Sequence, residues 1–463
     1  MAQSRKRIER EVDAMSRFYP ARQLFGPEWD RNDGDYAGIA HIRGQSAPSK
    51  VDLIFFDAGG GHRASATALR SMLEQDRKAW DVRMVNLREV LEPIDIVRKL
   101  ARVRVEDAYN SLLLRHNMTL GTGPMLRGIQ ILIRQLHRPS TTLLARFWNG
   151  APPDLVVSLI PNFNRAIFDG LRASDHELNR VPTPMLTILT DLADYPPHFW
   201  MEKQEQYFAC ATDRAVGQAL AMGHARERIF RTSGMIVRPE FYTPLCVDRA
   251  QERLRLGLRP DLPTGLVMFG GHGSRKMLTI AKRVAVAWLK TQLIFVCGHN
   301  QYLREQLAAL ELPFPLHIEG FTREIPRLMN LSDYFIGKPG PGSVSEALVM
   351  KLPVIVERNS WTMVQERYNT DWIMSNRVGV VLHSFAEVAT AIVPMLDPQR
   401  LAQFRARAGS LNNRAIFEIP EILDTIVETQ LRPIHRDARL TMSWQHRSPT
   451  NPNGALGSWA ANN

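Results

Sequence analysis

The sequence predicts an α/β protein made of two doubly wound domains, each a parallel sheet covered by helices. Two observations carry this. Strand and helix candidates alternate in two successive blocks along the 463 residues. Each block opens with a β-like run that enters a glycine-rich turn and continues as a helix, the start of a βαβ unit.

Residues 1–48 are polar, with turn-forming Pro, Gly and Asp-Gly and no sustained periodicity, and read as an arm. The first domain is expected at 49–243. Its opening strand is the apolar run 51–56, followed by Gly59-Gly-Gly-His62 and a stretch of helix formers from Arg63 to Arg70. Further strands are expected at 82–85, 155–160 and 185–190. Between the first two of these lies a mainly helical insert, 92–149.

Proline and charge accumulate over 235–262, and the second domain is expected at 244–432. It opens with the run 265–269, the turn Gly270-Gly-His-Gly-Ser274 and a helix over 277–290. Strands follow at 292–297, 334–337 and 353–356, with a helix over 343–350. The segment 433–463, rich in Asn, Pro, Ser and Gly, reads as a disordered tail.

Composition sets outer limits. Hydrophobic residues make up 44% of the chain and charged residues 23%, enough for real cores. No apolar run reaches the roughly 18–20 residues that span a bilayer, and the charged start lacks the apolar stretch of a secretory signal. Cys210, Cys246 and Cys297 lie far apart, without disulfide or zinc spacing, which fits a reducing cytoplasm. The net charge of +11 favours anionic partners: nucleic acid, membrane or phosphate-rich substrate.

Three turns carry candidate chemistry. Gly340-Pro-Gly-Ser343 joins a strand to a helix, so that the glycines admit a close ligand and the helix start attracts phosphate. Ser343 and Ser345 suit either capping or phosphate contact. Gly271, Gly273 and Ser274 form a second candidate cradle. Either turn also reads as an ordinary loop, and neither has P-loop or dinucleotide spacing. In the third, His62 follows three glycines at a strand's carboxyl end, where open α/β sheets bind ligands. It suits a general base, a diphosphate contact or a structural role.

The motifs Gly59-Gly-Gly-His-Arg-Ala-Ser-Ala66, Lys338-Pro-Gly-Pro-Gly-Ser-Val-Ser-Glu-Ala-Leu348 and Gln365-Glu-Arg-Tyr-Asn369 together resemble the monogalactosyldiacylglycerol synthase and processive diacylglycerol glycosyltransferase family. That family is related to the glycosyltransferase of the peptidoglycan lipid intermediate. Order and spacing match over about residues 50–390. The resemblance implies two Rossmann-like domains facing a cleft (GT-B type), with the acceptor on the first and a UDP-sugar on the second. It also implies an inverting transfer of a hexose to a lipid, with no cofactor and no catalytic metal.

By the same resemblance Glu346 holds the ribose hydroxyls, Phe321 and Thr322 flank the uracil, and Gln365, Glu366 and Asn369 read the sugar. Gly340, Gly342 and Ser343, with Gly271, Gly273 and Ser274, hold the diphosphate. Gly60, Gly61 and His198 fall on the acceptor side. Asp191, in the Thr190-Asp191 segment after a strand, is a candidate acid/base, a partner for His62 or a turn cap. The proton acceptor is thus His62 or Asp191. Asn162-Phe-Asn164 departs from the family's commoner His-bearing segment.

Residues 95–146 hold nine Lys or Arg beside apolar clusters, the pattern of a helix lying on a membrane or packed on its own domain. Arg127, Arg134 and Arg138 are the candidate contacts to anionic lipid. The expected setting is the inner face of the cell membrane, peripherally bound. A lipid acceptor accounts for both the charge and the apolar clusters. A soluble or polyprenyl-linked acceptor is the nearest alternative. A nucleic-acid binder rests on charge alone, without zinc spacing, RNP aromatics or a recognition helix, and no nucleic-acid partner is expected.

Overall fold

A computed structural model of the chain describes residues 48–57, 61–75, 80–94, 130–131 and 133–431. The expected arm and tail, most of the insert, Gly60 and Arg127 lie outside the described residues.

The first sheet has six parallel strands: β1 (Ser49–Phe55), β2 (Trp80–Asn86), β3 (Leu155–Ser158), β4 (Met185–Ile188), β5 (Tyr207–Cys210) and β6 (Ile229–Arg231), in the order β2-β1-β3-β4-β5-β6. The second has β7 (Thr264–Met268), β8 (Gln292–Val296), β9 (Leu316–Glu319), β10 (Tyr334–Gly337), β11 (Val354–Glu357) and β12 (Gly379–Leu382), in the order β12-β11-β10-β7-β8-β9. Both are parallel sheets with helices between strands, as the alternating pattern predicts.

Central strands are mainly apolar because helices cover both faces. β3, β4, β7, β8, β10 and β11 are buried along their whole length. Full burial of each Val, Leu or Ile contributes about 1.5–3 kcal/mol. Buried charges on the strands are paired, as Glu357 of β11 is with Lys276 Nζ. Asp52 on β1 is 2% exposed, and it accepts from Arg83 Nε at 2.7 Å and Trp148 Nε1 at 2.9 Å.

Two expectations shift. The helix expected from Ser343 spans Pro341–Val349. Proline suits this first position because the amide it lacks has no intrahelical partner there. The second domain, expected to run to 432, gives up its last helix. Ala415–Leu431 packs on the helix Gly61–Gln75 of the first domain. Its Ile416, Ile419, Leu423 and Ile426 join Leu53, Leu69 and Leu73 in one core. Spacings of three, four and three place those four on one helix face.

The chain therefore crosses between the sheets twice, and the crossings are bonded together. Asn413 Nδ2 donates to Met235 O at 2.9 Å, and the Arg414 amide donates to Ser233 Oγ at 2.7 Å. The Ser233 amide in turn donates to Glu418 Oε2 at 2.8 Å. Among the described residues no helix is long and apolar enough to cross a membrane.

Candidate functional site

In the second sheet β7 and β10 are neighbours, and the chain winds away from them in opposite directions. A crevice opens at the carboxyl ends of strands at such a switch point. β7 runs into the loop 269–274 and β10 into the loop 338–340, so both glycine turns border one crevice. The first sheet has its switch between β1 and β3, whose ends lead to His62 and to residues 159–164.

On the donor side, the helix Pro341–Val349 begins without a side-chain cap on Gly340, leaving its first amides open to an anion. Gly342 is exposed, and Ser343 is half-buried beside it. The other turn is held in a shape only glycine permits. Gly273 has φ 61°, and a Cβ there would lie 3.0 Å from Cys297 O. Gly298 has φ 60°, and its Cβ would lie 2.2 Å from Gly271 O. The His299 amide donates to that same oxygen at 2.8 Å. Ser274 is nearly buried, and its Oγ accepts from the Lys276 amide at 3.3 Å.

Phe321 is 60% exposed and stacks on His299 with ring centroids 4.1 Å apart. Thr322 Oγ1 is engaged by the Glu324 amide at 3.0 Å. Burial pushes the Glu346 carboxyl up to about 7, against the pull of the Arg238 guanidinium 4.0 Å away. On the helix Val364–Ser375, Glu366 is buried and accepts from Lys338 Nζ at 3.1 Å. Asn369 is fully buried and donates to Pro339 O at 2.8 Å, tying this helix to the glycine loop. Its Oδ1, like Gln365 Oε1, is a buried acceptor with no partner in the protein. Such orphans mark strain or a ligand's place.

On the acceptor side, His62 stands in the first turn of Gly61–Gln75, with Nδ1 3.1 Å from Thr190 Oγ1. Burial lowers it to about 4, opposed by a bond to the Leu159 backbone, so the ring is neutral at pH 7. Asp191 follows β4 and is raised to about 7. Burial is the main cause, and the Trp200 indole works against it by donating to Oδ2 at 2.9 Å. Gly61 is exposed, with room around it.

His198, at φ 64°, lines a cavity of about 310 Å³ with Arg134, His137, Asn162, Arg165 and Glu202. Arg138 is exposed on the helix His137–Gly150.

The two sides meet. Leu192, Ala211 and Met235 pack with Tyr368 and Trp372 of the helix Val364–Ser375, and the rings of Tyr195 and Tyr368 lie 5.9 Å apart. Asp191 consequently feels the charges of both Glu366 and Lys338. Trp200, Arg238, His299 and Lys338 enter the site without having been assigned a role from sequence. Only Lys338 lay in a recognised motif. Among the described residues no group of three or more His, Cys, Asp or Glu is placed to hold a metal ion.

No family model matches the chain. It is similar to the chloroplastic monogalactosyldiacylglycerol synthase of Spinacia oleracea, with 27% identity over 408 residues, covering 83% of this chain and 74% of that protein. With monogalactosyldiacylglycerol synthase 1 of Arabidopsis thaliana it shares 28% over 368 residues, 76% of this chain and 65% of the relative. The chain thus spans about two thirds to three quarters of the length of these relatives.

Among solved structures, MurG of Acinetobacter baumannii superposes with a TM-score of 0.51 at 13% identity, over 82% of this chain and all of that one. The UDP-GlcNAc 2-epimerase of Neisseria meningitidis, solved with UDP-GlcNAc, gives 0.50 at 13%, over 83% and 100%. The fold is the GT-B arrangement that the motifs implied. The epimerase is a reminder that one fold serves more than one reaction, so function rests on the site.

Proposed function

We propose that the chain is an inverting, metal-independent glycosyltransferase that moves a hexose from a UDP-sugar to diacylglycerol at an anionic membrane surface. The observation that carries the donor half is the pair of buried, unpartnered acceptors Gln365 Oε1 and Asn369 Oδ1, beside Glu366 on the helix tied to the glycine loop. Sugar hydroxyls are the donors such a group lacks. The similarity to monogalactosyldiacylglycerol synthases supports a galactosyl group and a diacylglycerol acceptor.

The chemistry follows from the two carboxyl ends that face each other. The acceptor hydroxyl attacks the anomeric carbon as the bond to the diphosphate breaks, and one displacement inverts that centre. Asp191 takes the hydroxyl proton, because a group titrating near 7 is matched to neutral pH, whereas His62 near 4 is a weak base. Neutral His62 orients the hydroxyl. The open amides at the start of Pro341–Val349 and in the loop 270–274 stabilise charge on the departing diphosphate.

Exposed Ile131, Arg134 and Arg138 combine apolar and cationic contact suited to the inner face of the cell membrane. One observation favours a second acceptor. Arg134 and Arg165 in the cavity with His198 suit a phosphate-bearing, polyprenyl-linked substrate. Incubating the protein with membrane lipids, polyprenyl phosphates and a panel of labelled UDP-sugars tests both. A labelled glycosyl-diacylglycerol is expected, and label confined to a polyprenyl or water-soluble product overturns the lipid assignment.

A further inference from the structure

One face of the helix Val364–Ser375 meets two different surfaces. Gln365, Tyr368, Asn369 and Trp372 stand at i, i+3, i+4 and i+7, so they share a single stripe. Gln365 Oε1 and Asn369 Oδ1 are the unpartnered acceptors assigned to the donor sugar. Tyr368 and Trp372 pack on Leu192, Ala211 and Met235 of the first domain. Trp372 also packs on the core of the second domain. A rotation or slide of this helix against the first domain therefore moves the sugar-facing pair as well.

The surface that receives Tyr368 is braced independently. Thr212 caps the helix Asp213–Ala221, accepting from the Ala215 amide at 3.2 Å, and its hydroxyl donates to Leu192 O. On the same helix Gln218 exchanges two hydrogen bonds with the Asp194 backbone, each 2.9 Å. Arg214 donates to the Tyr195 hydroxyl at 2.6 Å. Residues 192–195, which continue directly from Asp191, are thus fastened to one helix at three points. Against this platform the Tyr368 ring lies 5.9 Å from that of Tyr195, tilted by 38°, within the range of an aromatic contact.

We propose that Tyr368 is a positioning residue that registers the sugar-facing helix against the Asp191 segment, through Leu192 and Tyr195. This rests on the reading of the chain as a glycosyltransferase with its acceptor on the Asp191 side. The donor is held by the second domain and the attacking hydroxyl by the first. Whatever fixes one surface against the other sets the distance between the reacting atoms, and a misplacement of about 1 Å can cost about a hundredfold in rate. The contact is made by rings and methyl groups, so the Tyr368 ring carries it and the hydroxyl does not. Without that ring each domain keeps its own contacts and their register loosens.

The test compares Tyr368→Ala with Tyr368→Phe in the full chain. Tyr368→Ala is expected to lower kcat at least about tenfold while the calorimetric Kd for UDP stays within about twofold, and Tyr368→Phe to restore kcat. Tyr195→Ala combined with Tyr368→Ala should lose no more than Tyr368→Ala alone, because both remove one contact. An unchanged kcat in Tyr368→Ala, an equal loss in Tyr368→Phe, or UDP binding lost in step with kcat overturns the inference and leaves the transferase reading intact. Wild-type protein that transfers no sugar removes both together. Should Tyr368→Ala fail to fold, Tyr195→Ala takes away the same ring pair from the other side, and an unchanged kcat there overturns the inference.

Discussion

The Trp200 indole donates to Asp191 Oδ2 at 2.9 Å while its ring lies 6.1 Å from the ring of His62. One fully buried side chain thus spaces the two candidate proton acceptors and stabilises the charged form of one of them. Trp200→Phe keeps much of the packing and removes the donor. Asp191, already near 7, should rise by about one unit, since a bond to the ionised form is lost. Its ionised fraction at pH 7 then drops about fivefold. The acid limb of kcat/KM should move to higher pH by the same amount, and an unmoved limb removes the indole from catalysis.

If Glu346 holds the ribose, donor binding depends on pH. Its carboxyl titrates near 7 in the free protein, and a ribose diol is held best by the ionised form. Below pH 7 binding must first expel a proton, and above it that cost vanishes, so UDP affinity should rise from pH 6 to pH 8. Glu346→Ala should cost roughly 1.5–3 kcal/mol and flatten the profile. Calorimetry in buffers of different ionisation enthalpy reads both effects. Unchanged UDP binding in the variant rejects the ribose assignment.

Gly298→Ala should destabilise the fold by at least about 2 kcal/mol, because the new methyl meets Gly271 O at 2.2 Å and φ is 60°. Gly271→Ala meets nothing within 4 Å and should stay within about 0.5 kcal/mol of wild type. Urea unfolding of the two variants makes the comparison. Equal stability would mean that the cradle is not locked through Gly298.

Turnover should persist in excess EDTA, since backbone amides are assigned the leaving diphosphate. Abolition by EDTA with recovery on adding Mg²⁺ or Mn²⁺ would overturn that part of the mechanism.

The proposed membrane attachment can be tested separately from donor binding. Reversing Arg127, Arg134 and Arg138 to Glu should abolish cosedimentation with phosphatidylglycerol vesicles at physiological salt and leave UDP binding intact. The wild type should bind more as the anionic fraction rises and less as salt screens it. Equal sedimentation of wild type and variant would remove these arginines as the anchor.

The central strands are readable because burial on both faces makes them mainly apolar. β5 escaped because four residues after a polar loop carry little pattern, and the edges β6, β9 and β12 because their sides are half wet. The helix Ala415–Leu431 shows helical spacing, but nothing local tells which sheet its apolar face covers. In the site, the glycine turns were legible as backbone requirements at strand ends. Trp200 and Arg238 were not, because a buried indole donor and a linker guanidinium acquire roles only from groups distant in sequence.

The double crossing has a mechanical consequence. With Asn413 bonded to Met235 and Arg414 to Ser233, the two connections form a single seam rather than two independent tethers. Two bodies joined along one seam swing like the covers of a book and resist twisting or sliding apart. Any opening of the cleft would turn about that seam, with each glycine turn keeping its own shape.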